Sequence, residues 1–212
     1  MTRGGQAVFA TDPATHEYYE RRAREYDDWW TGTGRFADRH RPGWREEVAA
    51  LVSLVCGLAP VRTLDVACGT AFLTRHLQGR VVGLDQSATS VAIAQARLPS
   101  GLALVGDALS LPFADCAFDR VVTAHFYGHL PPGERDSFIS ESRRVACELI
   151  VIDSARSGSV PAEEWQQRVL DDGSVHRVFK RYLTPAVLDA ELHGAEVLMA
   201  GQWFVAVRAR LR

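Results

Sequence analysis

Four carboxylates and one turn of small residues carry most of the chemistry legible in this sequence. Asp85, Asp107 and Asp153 each follow a short apolar run, and Asp65 stands inside an earlier one, Val61-Arg-Thr-Leu-Asp-Val-Ala67. If those runs are the strands of an open α/β sheet, a ligand binds beyond their carboxyl ends, near the point where strand order reverses. The groups standing at those ends are Ala67-Cys-Gly69, Asp85, Asp107, Ala124-His125 and Asp153. Ala67 and Gly69 let a ligand approach the backbone closely. A helix starting after Thr70 would offer free N–H groups to an anion. Asp85 lies about twenty residues after Asp65, where a carboxylate accepts both hydroxyls of a ribose.

These features suit a dinucleotide and an adenosyl group alike, and two others separate them. The pattern G-x-G-x-x-G is incomplete, with Ala67 and Phe72 at two of its glycine positions. Its third glycine serves close packing on a pyrophosphate. Gly106-Asp107-Ala-Leu-Ser-Leu-Pro-Phe113 follows the third apolar run. A carboxylate there takes the adenine amino proton, and the N–H of Ala108 meets a ring nitrogen.

The elements that must position these groups follow from periodicity. Asp12-Pro13 starts a helix, with the carboxylate as cap, and the aromatic-rich stretch to about Trp30 continues it until Thr31-Gly-Thr-Gly34. A second helix follows Pro42 through Val48, Leu51, Val52 and Val55 to Gly57. Strands are expected at 61–67, 80–84, 102–105, 118–124 and 148–152. Helices are expected around Phe72–Leu77, after Ser87, and over Pro132–Ala146. Near-continuous apolar strands alternating with helices predict a parallel sheet covered on both faces. Residues 195–200 and 203–209 flank Gly201-Gln202 too tightly to be parallel. The expected fold class is therefore α/β: a doubly wound, mostly parallel seven-stranded sheet with an antiparallel C-terminal hairpin and helices on both faces. We read one domain over 1–212, with a helical cap at 1–57 and a Rossmann-like core at 58–212.

Composition excludes several classes. The chain has 212 residues, 47% apolar and 24% charged, with a formal net charge of −2, so no basic face for nucleic acid is expected. Cys56, Cys68, Cys116 and Cys147 form no C-x-x-C pair, and no metal is expected. Residues 1–11 read as a loose tail without the apolar core of a signal peptide. No run approaches a membrane span, so the expected compartment is the cytoplasm.

Leu64-Asp-Val-Ala-Cys-Gly-Thr70 resembles the first motif of class I S-adenosylmethionine (SAM)-dependent methyltransferases, and Val82-Gly-Leu-Asp-Gln-Ser87 resembles their ribose-binding motif. Gly106–Phe113 and Ala117–Pro131 resemble the adenine and fourth-strand motifs, in the style of the type 11, ubiquinone/menaquinone-biosynthesis-like branch. The resemblance implies transfer of the SAM methyl group to O, N or C of a small molecule, leaving S-adenosylhomocysteine (SAH). It implies that Asp65 faces the methionine amino group through backbone or water, and that Ala67 and Gly69 touch the methionine part. Asp85 would hold the ribose, Gln86 lie against the adenine, and Asp107 and Ala108 read its edge. Ala124 and His125 would line the sulfonium side, and Tyr26 would close over the cofactor. The sequence departs from the pattern at Ala71, where the family usually has Gly, at His125, often apolar, and at Gly128, often His. His129 matches a common loop residue.

His125 and His129 are the candidate catalytic bases, set beside the readings of a pocket-lining group and a loop anchor. Tyr18, Trp30, Tyr127 and Arg156 are candidate acceptor contacts, and aromatic faces suit a sulfonium. Arg156, Lys180, Arg181 and Tyr182 border the second half of the site, either solvated or reading an anionic acceptor. Without long insertions the cap suits a small-molecule acceptor, in a monomer or homodimer. The competing readings are a SAM-fold protein that binds or cyclises without methylating, and an NAD(P)-dependent reductase.

Overall fold

The computed structural model describes residues 9–156, 158 and 161–211. β1 (Val61–Val66), β2 (Gly79–Asp85), β3 (Leu102–Val105), β4 (Arg120–Ala124) and β5 (Glu148–Ser154) run parallel, and β8 (Ala195–Ala200) and β9 (Phe204–Arg210) complete a sheet of order β3-β2-β1-β4-β5-β9-β8. β9 is antiparallel to both β5 and β8. β1 pairs with β2 on one side and β4 on the other, so strand order reverses there. This is the expected fold class.

Period-two alternation sends successive residues of β5 into different cores. Leu149 and Val151 join one apolar cluster, and Ile150 and Ile152 join the other. The first contains residues of α5 (Pro132–Val145) and α6 (Pro185–Leu192), and the second those of α3 (Trp44–Cys56). α4 (Ala88–Arg97) starts where Ser87 Oγ accepts the Ser90 N–H at 3.0 Å.

Three expectations are corrected, and one pair of strands had not been expected. The N-terminal helix breaks into α1 (Pro13–Arg22), a 3₁₀ turn at Ala23–Glu25 and α2 (Tyr26–Thr31), ended by Gly32 at φ +70°. No α-helix follows β1: Ala71 lies at φ +63° and Leu77 is already extended, which leaves room only for a 3₁₀ turn at Thr74–His76. A two-stranded antiparallel hairpin, β6 (Glu163–Val169) and β7 (Val175–Arg181), stands apart from the main sheet. Finally, the part of the expected loose tail that is described is fastened, because Glu134 accepts the N–H groups of Phe9 and Ala10 and the Thr11 hydroxyl at 2.9–3.2 Å. Met1–Val8 lie outside the described residues.

Candidate active site

A cavity of about 310 Å³ opens at the carboxyl ends of β1 to β4. Its wall contains nine of the ten residues that the resemblance assigns to the cofactor: Tyr26, Ala67, Gly69, Asp85, Gln86, Asp107, Ala108, Ala124 and His125. The tenth, Asp65, lies on a second, narrow recess of about 10 Å³ that shares Tyr26, Ala67 and Ala124 with the first.

The turn after β1 makes the close approach possible. Ala67, Gly69 and Ala71 all adopt left-handed backbone, at φ +60°, +55° and +63°, a region that disfavours a Cβ by roughly 1 kcal/mol or more. At Gly69 a Cβ would stand 3.4 Å from the Tyr26 ring. Asp85 fastens this turn to its own strand end: one carboxylate oxygen accepts Gly69 N–H at 2.8 Å, the other Ser87 N–H at 2.9 Å. Burial raises the Asp85 pKa against these two bonds. Asp107 is exposed and accepts Leu109 N–H at 2.8 Å.

Asp65 is buried. Its Oδ2 accepts the Thr74 hydroxyl at 2.6 Å, and its Oδ1 has no partner. Burial pushes its pKa up to about 7, with Thr74 pulling it down and Asp85 adding to the rise. Trp30 also borders the recess, and its buried indole N–H has no partner either. The indole is stacked on Phe72 at 4.8 Å and on Phe204 at 5.8 Å.

Beyond β4 and β5 the construction changes. His125 sits at φ +56°, its N–H bonded to the Ile152 carbonyl. Its Nδ1 lies 3.4 Å from Ser154 Oγ and 3.7 Å from Asp153 Oδ1, and its buried Nε2 is unpartnered. Burial drives its pKa down to about 3, against the pull of Asp153, so the ring is neutral. Asp153 is fully buried and accepts from Lys180 Nζ at 2.5 Å, Ser154 N–H at 2.7 Å and Gly128 N–H at 2.7 Å. Burial alone would raise its pKa, but Lys180 and the other partners hold it below the usual range. A Cβ at Gly128 would come within 2.9 Å of Asp153 Oδ1 and of the Arg181 carbonyl. The histidine common there in the resembled pattern has no room.

The remaining sequence candidates stand elsewhere. His129 is buried off the cavity wall, with Nδ1 2.5 Å from the Phe179 carbonyl and its ring stacked on Phe9 at 4.7 Å. A carbonyl only accepts, so that nitrogen carries the proton. Tyr127 is buried and bonds Glu191 at 2.8 Å. Tyr18 is buried and receives a bond from Arg22. Arg156 is exposed, its N–H bonded to the Leu183 carbonyl.

Of the roof, sequence reasoning singled out only the helix aromatics, with Tyr26 closing over the cofactor. Phe9, Ala10, His16 and Tyr19 line the cavity. Glu20 bonds Thr89, while Asp27 accepts the Thr70 hydroxyl at 2.5 Å and pairs with Arg97 at 2.7 Å. The β6–β7 hairpin joins the roof through Glu25 to Asp171 N–H and Arg21 to Asp172. Asp172-Gly173 between alternating runs was the turn signal that could have revealed it.

A family profile described as "Methyltransferase domain" matches residues 64–148. A demethylmenaquinone methyltransferase of Thermotoga maritima is 36% identical over 48% of this chain and 44% of its own length. A 2-phytyl-1,4-naphtoquinone methyltransferase of Synechocystis sp. is 31% identical over 74% of this chain and 69% of its own. The chain thus spans about half the length of most of the curated relatives it matches. Among solved structures, the DhpI-SAH complex is 26% identical over 93% of this chain and 95% of that one, with a TM-score of 0.73.

Proposed function

Because this chain belongs to the class I SAM-dependent methyltransferase family, type 11 branch, we propose that it moves the methyl group of SAM to O, N or C of a small-molecule acceptor. One observation carries the reading. The recess beside the cavity holds one buried acceptor without a donor, Asp65 Oδ1, and one buried donor without an acceptor, Trp30 Nε1. An unmade buried hydrogen bond is costly, and an amino-acid zwitterion satisfies both, its ammonium on Asp65 and its carboxylate on Trp30. A pyrophosphate would bring only negative charge to a buried carboxylate, which counts against the reductase reading.

In this reading Asp85 receives the ribose hydroxyls, Gln86, Asp107 and Ala108 take the adenine, and Ala67 and Gly69 give backbone contact. Trp30 moves from the acceptor list to the cofactor. When bound, SAM supplies an electrophilic methyl group on a sulfonium, so the chain needs no nucleophile of its own. Its residues align the partners and exclude water, which can supply much of the barrier reduction. His125 stays neutral, so it offers Nε2 to the acceptor's O–H or N–H without a second positive charge beside the sulfonium. The single-domain division at residue 57, the monomer or homodimer, the cytoplasmic setting and the absence of a nucleic-acid partner belong to the same reading and rest on the sequence. Among the described residues no helix is long and apolar enough to cross a membrane.

Calorimetric titration with SAM and SAH tests it. Both bind, and affinity falls as pH drops below about 7, where Asp65 takes up a proton, by at most tenfold per unit. Failure of both to bind sinks the reading.

A further inference from the structure

Most cations around the site are matched. Lys180 pairs with Asp153, Arg181 with Glu191 and Arg97 with Asp27. Arg22 and Arg168 are different: among the described ion pairs, neither has a carboxylate partner. Arg22 is buried, donates to the Tyr18 hydroxyl and lies 5.2 Å from the Tyr26 ring centroid. Glu25 is within its electrostatic reach but is bonded to the Asp171 N–H. Arg168 is half-buried on β6, bonded to the Gln166 side-chain amide oxygen at 3.0 and 3.2 Å, lies 5.9 Å from the Tyr18 ring centroid and is within electrostatic reach of the Tyr19 and Tyr26 phenols.

Tyr19 and Tyr26 are themselves cavity wall. The two guanidinium groups therefore stand directly behind it, and their field reaches His125. Phenols screen a positive charge only partly, and desolvated cations without counter-charge are unfavourable. SAM does not correct the surplus, because it carries two positive charges and one negative. Nor does its carboxylate need these arginines, given the unpartnered Trp30 N–H.

We infer that the acceptor carries an oxyanion, a carboxylate or a phosphoryl group, anchored at the roof side of the cavity by the Tyr19 hydroxyl with Arg22 and Arg168 behind it. The inference rests on the methyl-transfer reading and adds the acceptor's chemical class to it. Burial raises the Tyr19 pKa to about 12 against the pull of Arg168, so the phenol stays protonated and is a donor at every working pH. The anchor is a positioning device and leaves open which acceptor atom is methylated.

The test uses the full chain saturated with SAH, titrated with matched fragments: benzoate against benzamide, and phenyl phosphate against phenol. At least one anion binds tenfold or more tightly than its neutral partner. Arg168→Gln abolishes that preference while SAH affinity stays within twofold, and Tyr19→Phe weakens the anion alone by roughly threefold to tenfold. Thermal melts of each variant report folding, and Tyr19→Phe decides the matter if Arg168→Gln does not fold. Benzoate and phenyl phosphate separate the two sources of the oxyanion. Equal binding of anion and neutral partner, no fragment binding at all, or a preference that survives both substitutions overturns the inference. So does a loss of SAH affinity with the preference intact, which assigns the arginines to the cofactor. If SAH itself fails to bind wild-type protein, it is the methyl-transfer reading that has failed, and the inference falls with it.

Discussion

The two halves of the sheet's carboxyl edge are built by different means. Beyond β1 to β3, carboxylates hold backbone N–H groups of nearby turns: Asp85 bonds Gly69 and Ser87, and Asp107 bonds Leu109. Beyond β4 and β5, Asp153 holds a lysine from the separate hairpin and a backbone N–H from the loop after β4. The first half is a set of short local motifs. The second is a buried electrostatic knot gathered from three distant stretches of chain. The first half can be altered residue by residue, whereas a change in the second unbalances a buried charge.

Substitutions break or sharpen that contrast. Lys180→Met leaves Asp153 buried without its cation and destabilises the fold by about 3–5 kcal/mol, read by denaturant unfolding, while SAH affinity in the surviving folded protein stays within twofold. Asp85→Ala does the reverse: calorimetry reads a loss of SAH affinity of roughly tenfold to a hundredfold, equivalent to about 1.5–3 kcal/mol, with a smaller effect on unfolding. Acid separates the halves in another way. His125 is neutral in the folded protein, with its pKa lowered from 6.5 to about 3. The stability this contributes is complete above pH 6.5 and is lost as pH falls toward 3, by about 2 kcal/mol between pH 7 and pH 5. His125→Gln shrinks that loss, as unfolding curves across the pH range will record. The smallest effect belongs to Ala71→Gly. Relief of the left-handed backbone, roughly 1 kcal/mol, is offset by the loss of a buried methyl group, roughly 0.8 kcal/mol. The melting midpoint then barely moves, and a drop of several degrees would mean that the turn depends on that methyl for packing.

The same contrast explains what could be read in advance. The strands and Asp85 were legible because each motif can be read within a few residues, although Asp85 also reaches in space to Gly69 on the turn after β1. Ala71 stood out as a departure, but its left-handed backbone, and with it the missing helix after β1, depended on the turn's geometry. Tyr18, Tyr19, Tyr26 and Trp30 read as one aromatic helix. Only the break at Ala23–Glu25 sends Tyr19 and Tyr26 to the cavity, Trp30 to the recess and Tyr18 into the interior. Glu163–Val169 alternates along its length, yet its residues are mostly polar, so no apolar face announced a strand.

Thr70 belongs to the cofactor turn, and its hydroxyl is bonded to Asp27 of the roof, which is also paired with the half-exposed Arg97. Floor and lid therefore share one electrostatic clasp. A clasp made of charge loosens as counter-ions crowd it, so ambient salt weakens the hold of the roof on the turn beneath it.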